Sequence, residues 1–139
     1  MILSAGVVVT RRLAGDLCYL LLRVYRHWEF PKGEVAPGEY PLETAIREVE
    51  EETSLTDLSF RWGTVYRETP VYGKGKVARY YLAESGQGRV VLSVSPELGR
   101  PEHHEFRWMD YTMAHRLLGP RLREILGWAD RIVAPRSAE

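Results

Sequence analysis

The feature that most constrains this chain is the stretch from Gly33 to Leu55, GEVAPGEYPLETAIREVEEETSL, a loop leading into a helix dense in carboxylates. Leu42, Ala45, Ile46 and Val49 fall at helical spacings and predict one buried face. Glu48, Glu51 and Glu52 stand at i, i+3 and i+4, so they share one turn on a neighbouring face. Like charges at that spacing repel and cost stability unless something neutralises them. Only Lys32 and Arg47 are near in sequence, too few cations for this much acid. A divalent cation is the economical answer. Mg²⁺, with Mn²⁺ as the alternative, takes hard oxygen ligands and completes its shell with water and substrate phosphates. A solvated acidic helix face is the competing reading of such a charge run.

The rest of the chain sets bounds. Its 139 residues suit one domain, residues 1–139, with one substantial core. Hydrophobic content of 45% and charged content of 27% are ordinary for a soluble globular protein. The formal net charge of +0 gives no bulk electrostatic case for nucleic-acid or anionic-membrane binding, so phosphate recognition must be local. Cys18 is the only cysteine and lies in an apolar stretch, which predicts a buried core thiol and no internal disulfide. There is no apolar run of membrane-spanning length and no signal-like N-terminus, so a cytoplasmic enzyme is expected.

In order along the chain, strands are expected at Ile2 to Thr10 and Leu17 to Tyr25, the latter apolar enough to be buried on both faces. Pro37-Gly38 marks a turn, and Pro41 suits the first turn of the acidic helix. Further strands are expected at Leu58 to Arg67, Val77 to Glu84 and Glu105 to Met109, with a short edge strand at Arg89 to Val94. Asp110 is a candidate N-cap for a helix over Tyr111 to Leu118. Pro120 opens another, with Leu122, Ile125, Leu126 and Ala129 at helical spacing. The tail from Ala134 reads as frayed. Strands with a central and a terminal helix make an α+β arrangement. Trp62, Trp108 and Trp128 have apolar neighbours and read as core.

Gly33, then Glu39, then Arg47-Glu48-Val49-Glu50-Glu51-Glu52-Thr53-Ser54-Leu55 resemble the Nudix box, G-x5-E-x7-R-E-U-x-E-E-x-G-U, with U a bulky aliphatic. Every fixed position matches except the last Gly, which is Ser54. That Gly follows the helix, where a left-handed backbone often ends it, so the departure touches the helix end and not the carboxylates. The resemblance implies a mixed sheet sandwiched between helices, α/β/α, and hydrolysis of nucleoside diphosphates linked to another moiety. It implies Glu48, Glu51 and Glu52 as metal ligands, joined by the Gly33 carbonyl. Arg47 would orient a glutamate, and Glu39 would pair with it or act in the outer metal shell.

Four segments bear on the substrate. His27-Trp28-Glu29-Phe30-Pro31-Lys32-Gly33 resembles the W-x-x-P-K-G lead-in of asymmetrical diadenosine tetraphosphate (Ap4A) hydrolases, with Lys32 placed to pair with a phosphate and Trp28 adjoining the site. Lys76 to Glu84 resembles the K-x-x-x-Y-x-L-A-E strand of that subfamily, whose tyrosine, here Tyr80, would stack on a nucleobase. Tyr81 would face the other side of the sheet. Lys74 and Lys76 are candidate phosphate clamps. Glu102 to Trp108, EHHEFRW, resembles a late E-H-x-x-Y/F-R-W segment, which makes Glu102 a distal metal ligand or general base. His103 would bind phosphate or cap its loop. Zinc is disfavoured by the single Cys and the lack of paired His on a helix.

The resemblance therefore implies Mg²⁺-dependent cleavage of Ap4A to ATP and AMP by a monomer or homodimer acting on a small nucleotide. The alternatives are a pyrophosphohydrolase of nucleoside triphosphates or of RNA 5′-triphosphate ends, a diphosphoinositol polyphosphate hydrolase, a non-catalytic nucleotide-binding Nudix module, and a scaffold with an acidic surface helix.

Overall fold

The computed structural model describes residues 1–134; the expected frayed tail lies outside these residues from 135 onward. In chain order the elements are β1 (Ile2–Leu13), β2 (Asp16–Val24), β3 (His27–Glu29), β4 (Lys32–Glu34), α1 (Pro41–Thr53), β5 (Leu58–Ser59), β6 (Tyr66–Glu68), β7 (Lys76–Ser85), β8 (Val94–Ser95), β9 (Arg100–Pro101), β10 (Glu105–Met109), α2 (Tyr111–Leu117) and α3 (Pro120–Val133).

The main sheet runs β10-β2-β1-β7-β5, with β3 on β2, β4 on β1 and β6 on β7. It is mixed: β1 and β7 pair in parallel from Ile2↔Lys76 to Thr10↔Glu84, and the other ladders are antiparallel. β1, β2 and β7 are buried on both faces, as their continuous apolar runs require. Alternate residues feed two cores. Ala5, Val7, Val9, Leu20, Leu22, Tyr81 and Ala83 pack with Ala45 and Val49 of α1. Val8, Tyr19, Leu21, Ala78, Tyr80 and Leu82 pack with Leu122, Ile125, Leu126 and Ala129 of α3. A sheet with a helix layer on each face is the expected α/β/α order.

β1 changes partner along one edge. Its start pairs with β4, from Ser4↔Glu34 to Gly6↔Lys32, and its end pairs with β2, from Thr10↔Tyr19 onward. The crossover is tight at Gly6, where a Cβ would lie 2.2 Å from the Pro31 carbonyl oxygen. The β3–β4 lead-in is thereby pressed against β1 and delivers Gly33 under α1.

Three expectations are corrected. The single strand over Leu58 to Arg67 is two short strands, β5 and β6, because the chain turns at Gly63 (φ +85°), whose N–H donates to the Phe60 carbonyl at 2.9 Å. The edge strand over Arg89 to Val94 does not form as such. Val91 instead donates to the Thr53 carbonyl at 2.9 Å, tying this segment to the end of α1, and only Val94–Ser95 pairs, with Arg100–Pro101. Ile46 is exposed rather than on the buried face of α1. The helix is rolled so that Glu48 and Glu52 share the inward arc with Ala45 and Val49.

Ser54 takes the left-handed conformation expected of the Gly it replaces (φ 68°). Its hydroxyl donates to the Val91 carbonyl at 2.9 Å and lies 3.2 Å from the Ser93 hydroxyl, contacts that offset the backbone strain. Cys18 is buried, and burial pushes its thiol pKa up, in keeping with a core thiol. Trp62, Trp108 and Trp128 are partly buried against the two cores. No helix among the described residues is long and apolar enough to cross a membrane.

Gly6→Ala should force β1 and β4 apart, because its Cβ meets backbone that has nowhere to move. The expected cost is about 1–3 kcal/mol, read as a lower Tm, with faster amide exchange confined to residues 31–34.

Candidate active site

α1 begins after Tyr40, whose N–H donates to the Glu43 carboxylate at 3.0 Å, with Pro41 in the first turn. Two turns on, Arg47 organises the acid. Its Nε and Nη2 grip the two oxygens of Glu39 at 2.8 and 2.9 Å, and its Nη1 reaches Glu48 at 3.0 Å and Glu51 at 3.1 Å. A bidentate fork of this kind fixes direction as well as charge. Glu39 also accepts from the Thr44 hydroxyl at 2.5 Å. The Arg47 fork, with Thr44, holds its pKa down to about 2. Glu39 is thus spent on positioning Arg47, and Arg47 on positioning Glu48 and Glu51.

Glu48 and Glu52 point inward. The Glu48 carboxylate occupies the space that a Gly33 side chain would fill: a Cβ there would lie 2.0–2.4 Å from its carboxyl atoms. Glu52 Oε1 is buried with no hydrogen-bond partner. Burial, and then the neighbouring Glu102, Glu48 and Glu29, push the Glu52 pKa well above the usual carboxylate range. Burial and Glu51 also raise that of Glu48.

The loop before β10 brings the distal carboxylate. Glu102 is exposed, and His103 beside it is only 3% exposed. His103 Nε2 lies 2.8 Å from Glu29 Oε2 and 3.9 Å from Glu102 Oε2. Ligand atoms of Glu29, Glu102 and His103 all fall within 4.8 Å of one another. Burial alone would raise the Glu29 pKa, but the His103 hydrogen bond and the Lys32 charge outweigh it and lower the value. His103 therefore sits buried beside two carboxylates, not as a cation turned toward solvent.

This donor set fits a divalent cation. Glu48, Glu51, Glu52 and Glu102 line one cleft, Glu52 Oε1 is orphaned, and the Lys32 charge offsets only part of the repulsion on Glu52. Glu48, Glu51 and Glu52 would offer a cation hard oxygens, with Glu102 in the same cleft.

Two clefts flank this centre and share Glu102. One, of about 610 Å³, runs between Glu48, Glu51 and Glu52 and the segment Leu92 to Glu97. The other, of about 450 Å³, is lined by His27, Trp28, Glu29 and Lys32 on the lead-in and by Gly119, Pro120 and Arg121 at the start of α3.

Several expected residues do not come together. Tyr80 is fully buried in the α3-side core, its ring edge-on to Phe30 at 5.5 Å between centroids. A base has no face of that ring to stack on, which corrects its assignment as a stacking platform. Tyr81 is buried too, on the α1 side. Inward pleats on both faces of a central strand leave neither tyrosine free. Lys74 and Lys76 lie at the turn into β7 and line neither cleft. Glu29 and Arg121 were missed. Glu29 stood inside the quoted lead-in, one residue after Trp28. Arg121 carries no motif, and its only signal is a cation in the first turn of a helix, where the dipole disfavours it.

The fold and the carboxylate centre define a class, and comparison with known proteins agrees. The NUDIX domain model matches residues 2–129, so the chain belongs to the Nudix family of hydrolases. An asymmetrical bis(5′-nucleosyl)-tetraphosphatase of Caenorhabditis elegans is 36% identical over 114 residues, 77% of this chain and 78% of that protein. The Mus musculus enzyme of the same name is 35% identical over 126 residues, 82% of each. A crystal structure of a C. elegans Ap4A hydrolase binary complex superposes with a TM-score of 0.83 at 29% identity, covering 96% of this chain and 98% of that one.

Burial raises the folded Glu52 pKa, so proton binding there favours the metal-free folded state. Its favourable contribution is complete below the unfolded pKa, near 4.5, and is lost as pH rises through the folded value. Glu52→Gln should therefore raise the Tm in EDTA at pH 7 by roughly 3 °C or more, with the gain fading near pH 4. The same variant should lose most of the stabilisation that Mg²⁺ gives the wild type.

Proposed function

We propose that this chain is a Mg²⁺-dependent asymmetrical dinucleoside tetraphosphate hydrolase, cutting Ap4A to ATP and AMP. The observation that carries this reading is the pair of clefts meeting at Glu102. A nucleoside triphosphate has one nucleoside end and needs one cleft beyond the carboxylates. A dinucleoside polyphosphate has two ends, and its phosphate chain would cross the carboxylate centre between them. The relatives that bear the tetraphosphatase name support the same substrate.

Glu48, Glu51 and Glu52 would hold the cation, which leaves Glu102 to act as general base. When bound, the cation neutralises phosphate charge, orients the phosphorus and lowers the pKa of a coordinated water. Arg47 keeps Glu48 and Glu51 in place as the substrate arrives. Lys32 offers a point charge to a phosphate oxygen from the lead-in side. Glu102, exposed where the clefts join, accepts the proton as water adds to phosphorus. One P–O bond forms to the water oxygen and one anhydride P–O bond breaks, and ATP and AMP are the two unequal products. Trp28 lines the second cleft, where an adenosine would rest. A cytoplasmic enzyme is part of this reading.

Incubation with Ap4A and Mg²⁺ in H₂¹⁸O, beside a panel of nucleoside triphosphates, tests the reading. ATP plus AMP at a much higher kcat/KM than any triphosphate is expected. Pyrophosphate release from a triphosphate with little turnover of Ap4A would refute it. Glu51→Gln and Glu52→Gln should each lower kcat by about a hundredfold or more, with far-ultraviolet circular dichroism unchanged.

A further inference from the structure

We infer that Arg121 is a substrate-binding residue: its guanidinium, in the second cleft with Lys32, holds phosphate oxygens of the part of the substrate lying on the α3 side. This deepens the proposed function and rests on it for the identity of the substrate, though not for the chemistry of the subsite.

Arg121 has no hydrogen-bonding or ion-pairing partner among the described residues, although its charge adds to those that lower the Glu29 pKa. It stands one residue after Pro120 in the first turn of α3, where a positive charge opposes the helix dipole. Among the described residues it makes no ion pair, and its Nε is buried without a hydrogen-bond acceptor. A buried donor left open in this way is costly unless a ligand supplies the acceptor. Its guanidinium carbon lies 3.8 Å from the centroid of the Tyr72 ring. Stacking of that kind fixes the guanidinium plane and leaves its N–H edge to do the binding, and the planar fork matches a phosphate.

The placement suits a phosphate chain. Lys32 of β4 and Arg121 of α3 both line one cleft, which shares Glu102 with the carboxylate centre. Glu29, the other carboxylate in the cleft, is already hydrogen-bonded to His103 at 2.8 Å. The bases of charge on the two sides are thus distinct. Arg47 is consumed by Glu39, Glu48 and Glu51, so on the α3 side Lys32 and Arg121 are left to meet a phosphate.

The test compares Arg121→Met, which keeps the aliphatic bulk on Tyr72, with Arg121→Lys, which keeps the charge. Two readouts are taken with Mg²⁺: steady-state kinetics on Ap4A, and calorimetric binding of inorganic tripolyphosphate. Arg121→Met should raise KM for Ap4A and Kd for tripolyphosphate on the order of tenfold or more, the scale of one lost charge-assisted hydrogen bond. kcat should change far less, because the contact is made equally in ground and transition states. Arg121→Lys should recover part of both losses, and Glu124→Gln, on the next turn, should leave both unchanged. KM and Kd within twofold of wild type in Arg121→Met would overturn the inference. So would a fall in Tm for both Arg121 variants with losses that Lys does not rescue, which would mark a packing role. If the wild type fails on Ap4A while tripolyphosphate binding still depends on Arg121, the substrate reading falls and the subsite stands.

Discussion

The structure depends on keeping mutually repelling carboxylates close together in a partly buried space. Glu48 and Glu52 are turned inward on α1, and Glu29 and Glu102 are brought to meet them from β3 and the loop before β10. Repulsion at these distances is strong because burial lowers the effective dielectric. Two devices restrain it in the protein itself. Arg47 binds Glu48 and Glu51, and His103 is hydrogen-bonded to Glu29. Neither reaches Glu52 Oε1, which stays unpaired. The protein is thus least stable where a cation would bind best, and binding converts that local cost into affinity.

The sheet makes the convergence possible. β1 hands its edge from β4 to β2, and the handover presses the lead-in against it at Gly6. Gly33 is then close enough to α1 that the Glu48 carboxylate takes the place of its missing side chain. Both glycines are required by close approach and not by a positive φ. At the far end of α1 the opposite holds: Ser54 adopts the left-handed backbone and compensates by hydrogen bonds to the segment that follows Arg89. That segment goes on to form the wall of the first cleft, so the helix end and the cleft wall are one construction.

Much of this was legible in the sequence, because strand burial, helix caps and the spacing of the box are local properties. Alternation cannot say how far a helix rolls, and so Ile46 was placed inward when the carboxylates had taken its arc. Periodicity also ran through Gly63, where one turn splits a strand in two. The site was legible where it lay on one helix and illegible where it depended on distant segments. Glu29 meets His103 across 74 residues, and nothing local to either marks the pairing. Tyr80 was misread for a related reason: a tyrosine on a strand shows which face it takes, but not whether a helix covers that face.

The burial of Tyr80 changes how recognition must work in this chain. Its hydroxyl is unpartnered, and burial followed by the Glu29 charge pushes its pKa well up, so it remains a neutral ring beneath the site. With that ring in the core, Trp28 is the large aromatic side chain that lines the second cleft. Stacking is then available on the α3 side, while the opposite cleft offers Leu92, Val94, Pro96 and Pro101 with the hydroxyls of Ser93 and Ser95. Such a wall can bury a base but has few groups with which to read its edge. Discrimination must fall on the part of the ligand that meets fixed charge, the phosphate chain. On the proposed reading, a phosphate chain running from a cation at the box carboxylates past Glu102 would reach Lys32 and Arg121, and a shorter one would not. In a molecule with no net charge, recognition of the proposed substrate would rest on that local arrangement.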